Sequence, residues 1–409
     1  MSRRVVIALL LCACAAAPKG QSAEPNAAAK VAQTPPRDFR ALLARDVAAL
    51  PVQPFESKQA ALRGAIEAKS PPEVSFKDGY VQVAAPIGAD TAVVCMVYDG
   101  DLRPGVALST LFSKVFESGA RELERVGIDS VEAFAGAAAI YATALYRSSK
   151  GDNAAGTLKV FLHAGFERGV MCLHDEVGYR RAFARVSRGF VERLEYEKKI
   201  GATRLLEVVK LSLGQQTVGV FQTLVAVAKG GETVAVSSTS RFLPISPTEL
   251  ATSDSIAIEG LDREHRIEHA SYGAHEGADE SLSLELSRGE RGRYQYKGTQ
   301  HGEPLAGDFT TKDKKGLLAG VGRDERIAEA FRAKRGLVLD IEEYSPVSDP
   351  TKTELLRASV DVAKRRLSIQ VADVAIDERV DEQGFASDGE IQIGKQTLRL
   401  ERLLRNGSL

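Results

Sequence analysis

The 409-residue chain has no tryptophan, only three methionines, and 6% aromatic residues in all. That scarcity argues against an aromatic carbohydrate platform or an aromatic-rich binding hot spot. Neither sign of charge is in excess: 54 Lys+Arg stand against 55 Asp+Glu. A nucleic-acid surface would show a basic bias, so that partner class is not expected. Long apolar runs are missing as well. The run from Val5 to Ala13 is far shorter than the roughly 20 residues a membrane-spanning helix needs. Gly214-Gln-Gln-Thr217-Val-Gly219 and Gly316-Leu-Leu-Ala-Gly320 open no helix of a βαβ unit, so no phosphate cradle and no cofactor are expected. Ser237-Ser-Thr-Ser240 lacks the flanking glycines of a nucleophile elbow and reads as an exposed strand face. Asp340, Glu342, Glu343 and Asp349 do not have the spacing of an EF-hand.

What is present begins at the N-terminus. Met1-Ser-Arg-Arg followed by the apolar run has the basic and hydrophobic parts of a secretory signal over residues 1–13. Leu11-Cys12-Ala13-Cys14 resembles the lipobox of bacterial lipoproteins, departing from it in having Cys12 at the second position before the cut. The resemblance implies cleavage before Cys14, a lipid on that cysteine, and a membrane-anchored address on the periplasmic side of the cell envelope. Cleavage after Ala15, giving a secreted soluble protein, is the alternative. Residues 14–36 are small, polar and broken by proline, too poor in large apolar groups to offset their ordering entropy, and read as a flexible tether.

Cys95 and Cys172 remain in the body, both in strand-like surroundings. An oxidising compartment makes a disulfide the expectation for such a pair, with two buried thiols as the alternative. A catalytic Cys172–His174 dyad would need a third orienting group that the sequence does not supply. Asp175 and Glu176 read instead as acidic residues at the start of the following helix.

The fold class expected is α+β, in two parts. Residues 37–199 read as an α+β domain with helices on a mostly antiparallel sheet. Helices are expected at Asp38–Leu50, Glu56–Lys69, Val106–Glu117 and Gly178–Lys198, the second bounded by Pro51 and Pro54. In the last, Tyr179, Phe183, Val186, Phe190 and Leu194 form one apolar stripe, and Arg180, Arg181, Arg185 and Arg188 a solvated face. Strands are expected between these helices, including an all-apolar Thr91–Tyr98.

Residues 200–409 read as an antiparallel β domain, a curved sheet or half-barrel with one helix at Asp324–Lys334. Leu282, Leu284 and Leu286, alternating with Ser and Glu, show the pattern of one dry and one wet face. In its run of hairpins this half resembles the unclosed β-barrel domains of LolA-like periplasmic carriers. That likeness implies a lipid-like ligand.

His265, His269 and His275 could ligate a metal, but Arg266 stands where a zinc protease has glutamate, so a polar connecting segment is the plainer reading. The expectation is a non-enzymatic envelope lipoprotein that binds a lipid-like ligand or an envelope protein through its C-terminal half. The alternatives are a structural part of an envelope assembly, and a hydrolase using those histidines.

Overall fold

The computed structural model describes residues 39–407, apart from residues 78, 118, 149–154, 372–373 and 394–395. The expected signal over residues 1–13, Cys14 and the expected tether over 14–36 lie outside the described residues. The body is mostly antiparallel β-sheet with four α-helices among the described residues, so the expected α+β class holds roughly, with strands dominating.

The N-terminal helices are the main correction. Among the described residues before the first strand, Phe39–Leu43 (α1) is helical, and Glu56–Lys69 is not helical at all. Val52–Ser57 (β1) and Leu62–Glu67 (β2) pair instead, and Glu195–Tyr196 (β10) extends β2 on its other side. The prolines sit before and within β1, an edge strand where a missing N–H is tolerated. Phe55 then stacks on Phe190 with ring centroids 5.4 Å apart. Tertiary burial has overridden the helix propensity of this stretch.

Seven strands form the second sheet: Glu73–Lys77 (β3), Tyr80–Pro86 (β4), Ala92–Asp99 (β5), Arg121–Phe134 (β6), Ala137–Ser148 (β7), Ala155–Ala164 (β8) and Arg168–Asp175 (β9). Their order is β3-β4-β5-β9-β8-β7-β6. One face meets Arg180–Glu192 (α3) and the small sheet, burying Phe183, Val186 and Phe190. The other meets Pro104–Phe116 (α2) and the outside of the third sheet, through Leu108, Met96, Val208 and Phe242. The central strand β5 is dry on both sides because both faces are covered. Cys95 on β5 faces Cys172 on β9 in register, and their sulfurs are bonded.

The third sheet has fourteen strands. Thr203–Leu213 (β11), Gln216–Val227 (β12), Thr233–Ser246 (β13), Glu249–Leu261 (β14), Ile267–Glu276 (β15), Asp279–Arg288 (β16), Arg293–Gln300 (β17) and Glu303–Thr310 (β18) follow one another as hairpins. The chain then forms Gly320–Arg332 (α4) and returns through Leu337–Tyr344 (β19), Thr353–Asp361 (β20), Arg366–Val371 (β21), Val374–Val380 (β22), Ala386–Ile393 (β23) and Gln396–Gly407 (β24). Strand β24 closes back onto β11, so β18 and β19 are the two free edges.

Those edges approach without pairing: Phe309 stacks on Tyr344 at 4.8 Å, and the Lys312 amide donates to Glu342 Oε2 at 2.5 Å. The sheet thus curls into an unclosed barrel. Its inward rows pack on α4 from both halves, with Val321 among Leu205, Ala257 and Leu284, and Ile327 among Val209, Leu356 and Ile376. One helix suffices as cover because the two halves of the sheet also cover each other.

Candidate functional site

The barrel has a water-facing wall. Outward residues of neighbouring strands pair as Arg357 with Asp340 at 2.7 Å, Arg293 with Asp308 at 2.9 Å and Arg399 with Glu390 at 3.2 Å. A lipid-spanning barrel would present apolar side chains there.

The lumen is filled. At mid-height Arg323 of α4, fully enclosed, pairs with Asp324 and with Glu343 of β19, both at 2.9 Å. Arg405 pairs with Glu207 at 3.3 Å and lies 3.5 Å over the Phe385 ring. Two voids of about 20 Å³ remain beside Glu207, Asp324 and Arg405. Each has room for about one water. Neither of these two voids would hold an apolar tail. Ser237 and Thr239, expected on an exposed face, are buried in the inner wall of β13.

The three candidate metal-ligating histidines are not brought together. His265 lies in the turn before β15 with a positive φ of 60°. His269 and His275 share the outward face of β15, six residues and so roughly 20 Å apart. His269 bonds Glu232 at 2.6 Å, and Arg103 contacts His275 at 2.8 Å. Asp340, Glu342 and Glu343 are likewise dispersed, to Arg357, the Lys312 amide and Arg323. Cys172 is tied up in the disulfide and offers no thiolate.

A different constellation stands beneath α3. On β8, Lys159 lies opposite His174 of β9. Lys159 Nζ donates to His174 Nδ1 at 3.0 Å and to the Glu176 carbonyl. An ammonium cannot accept, so Nδ1 carries no hydrogen and Nε2–H donates to Thr91 Oγ1 at 2.9 Å. Burial pushes His174 down to about 3, with the Lys159 charge a lesser cause, and pushes Lys159 down to about 8. Asp175 points away, taken by Tyr146 at 2.5 Å and Arg121 at 2.6 Å. The acidic pair therefore does not open α3. Asp46, from the segment after α1, accepts from the Ala182 amide instead.

The turn into α3 is fixed by backbone shape. Gly178 has φ +87°, and a Cβ there would meet the Leu42 carbonyl at 2.4 Å. Tyr179 follows, also left-handed. This places Arg180 at the mouth of a cleft of about 570 Å³ between α3, Leu43 and strands β6 to β8. Its floor is Tyr141, Thr143 and Leu145 of β7 with Thr157 and Lys159 of β8. The arginine face of α3 is only partly solvated: Arg185 pairs with Glu67 at 2.8 Å, and Arg188 lies 4.0 Å over the Phe134 ring. Arg180 and Arg181 are exposed. Lys159 carried no signal at the level of sequence, since a lysine in a strand ordinarily reads as an outward residue. Only its alternation with apolar Phe161 hinted at the buried side.

No protein-family model matches the chain, and no curated protein sequence does. Solved structures are similar at low levels, two of them as follows. A β-barrel-like protein of a domain of unknown function, DUF1849, from Brucella abortus shares 9% identity at a TM-score of 0.37, over 51% of this chain and 98% of that one. A crystal structure from Bacteroides thetaiotaomicron VPI-5482 shares 11% identity at a TM-score of 0.22, over 37% of this chain and 52% of that one.

Proposed function

We propose that the protein is a non-enzymatic binding protein of the bacterial cell envelope, exported, lipid-anchored at Cys14, and carrying a lipid-like ligand in the cleft beneath α3. The address rests on the lipobox-like residues and is supported by a disulfide, which belongs to oxidising compartments. The seat shifts from the C-terminal half to the first domain for one reason. The cleft offers about 570 Å³ of mixed apolar and polar wall, whereas the barrel lumen is occupied by α4. Pockets of roughly 300–1,000 Å³ with a few convergent polar groups are the usual ligand seats.

Two measurements test this. The mature N-terminal peptide is expected to carry acyl chains on Cys14 and to fractionate with membranes; an unmodified Cys14 in a cytosolic protein would remove the address. Native mass spectrometry of the full chain is expected to show a co-purifying amphiphile that is lost in Ala184→Trp, which fills the cleft wall. No adduct, or one that survives the substitution, would remove the seat.

A further inference from the structure

The cleft holds a half-completed ion pair. Lys159 is 6% exposed, and its recorded partners are the neutral His174 ring and a backbone carbonyl. Among the described residues no carboxylate bonds it: Asp175 and Glu176 act on it only at longer range, and burial outweighs them. A buried ammonium ordinarily has an anionic partner, because its lost hydration is otherwise uncompensated. Two residues along the same face of β8, Thr157 is also buried, and its Oγ1 has no hydrogen-bond partner. A buried hydroxyl without a partner calls for explanation, and here it lines the same cleft as Lys159. Arg180 adds a second cation at the mouth, from a helix whose first turn contains no acidic residue. The opposing charge, Asp129 on β6, is exposed and already accepts from Thr143 Oγ1 at 2.6 Å.

Resting on the binding reading above, we propose that the ligand is a single-tailed amphiphile with an acid head. The head completes the Lys159 ion pair, accepts from the Thr157 hydroxyl and is screened by Arg180, while the tail lies along Tyr141, Leu145 and Phe183. Carboxylate and phosphate monoester heads share this chemistry. Electrostatic attraction in a partly dry cleft is stronger than at an open surface, so the head sets specificity.

The groups facing Lys159 define what a pH titration reports. They are His174 in direct contact, Asp175 and Glu176 at longer range although neither carboxylate bonds it, Asp129 on β6, Arg180 on α3 and Tyr141 on β7. Of these, His174 stays neutral and Tyr141 is raised by its burial, so Lys159 is the cleft group whose charge changes near pH 8.

The experiment uses the full chain stripped of bound lipid, with dodecanoate, dodecyl phosphate and dodecanol as probes in calorimetry. At pH 6.5 both acids are expected to bind at least tenfold more tightly than dodecanol, and the tighter of the two identifies the head. Acid binding is expected to weaken about tenfold between pH 7 and pH 9.5, about tenfold in Lys159→Met, and several-fold in Thr157→Val. Should dodecanol bind as tightly as the acids, or should pH and both substitutions leave acid binding unchanged, the head assignment is wrong while the cleft remains a binding seat. Should no probe bind at all, both readings fail. The pH series on the unaltered protein keeps the test valid if Lys159→Met does not fold.

Discussion

His163 and His174 are both buried bases, and their burial ties stability to pH. Burial lowers His163 to about 4, its bond from Nε2 to the Phe134 carbonyl at 3.0 Å opposing only part of the effect, and His174 to about 3. In the unfolded chain each would bind a proton near 6.5. The unfolded state therefore binds more protons in the window below 6.5, and the stability present above it is lost as pH falls towards 4 and 3. Urea titrations should show unfolding free energy falling by about 1.4 kcal/mol per pH unit for each histidine between roughly pH 6 and 4. His174→Gln should flatten that slope, and an unchanged slope would contradict the neutral-histidine assignment. Lys159 works in the opposite window. Its folded pKa near 8 lies below its unfolded value of 10.5, so charging it in place costs about 3 kcal/mol at pH 7. Lys159→Met should stabilise the empty protein at pH 7, and the gain should disappear as pH approaches 10.5. A residue this costly to the apo fold is more readily understood as part of a site than as packing.

At the scale of elements, α4 is held in place by buried charge. Arg323 is enclosed on every side and pairs with Asp324 and Glu343. Removing one partner of a buried pair leaves the other charge uncompensated, so Arg323→Ala should cost about 3–5 kcal/mol. Hydrogen exchange should speed first in α4 and β19; uniform acceleration across the barrel would mean the ion pairs do not hold the helix. The β22–β23 turn supports the same helix from the other side, since Gly384, at φ +92°, lets the chain approach Ala328 closely. In the seven-stranded sheet, the Cys95–Cys172 bond closes 77 residues of chain. Reducing it should cost roughly 4 kcal/mol by loop entropy, read as a fall in melting temperature with reductant. Helix α2 is held from outside its own sheet: Asp254 on β14 accepts from the Gly105 and Val106 amides at 3.1 and 2.7 Å. Local pattern made α3 legible, because its stripe at helical spacing is what the sheet buries. The same pattern misled at Glu56–Lys69, where helix formers are outweighed by a sheet contact to Phe190 that lies far along the chain.

For the whole molecule, the layers are joined by an apolar seam. Val208, Val220 and Phe242 on the barrel's outer wall pack with Leu108 of α2 and the inner face of the seven-stranded sheet. A barrel excised at residues 203–407 would expose that patch and should self-associate in light-scattering chromatography. A monomer with native-like sheet content would show the seam to be dispensable.

The sequence by itself determined the strand-rich body and the alternation that makes one wall wet and the other dry, since both are written in neighbours along the chain. It could not decide that the long sheet curls around its own helix, because the curl depends on β18 approaching β19, which residues 311–336 separate along the chain. Nor could it decide that the lumen would be full and the ligand-sized space lie elsewhere. Lys159, Thr157 and Arg180 acquire a shared meaning only when β8 and the turn before α3 are folded against one another. Burial, unlike periodicity, is a property of the assembled chain, and among the described residues it leaves the lysine without a bonded carboxylate and the Thr157 hydroxyl without a partner.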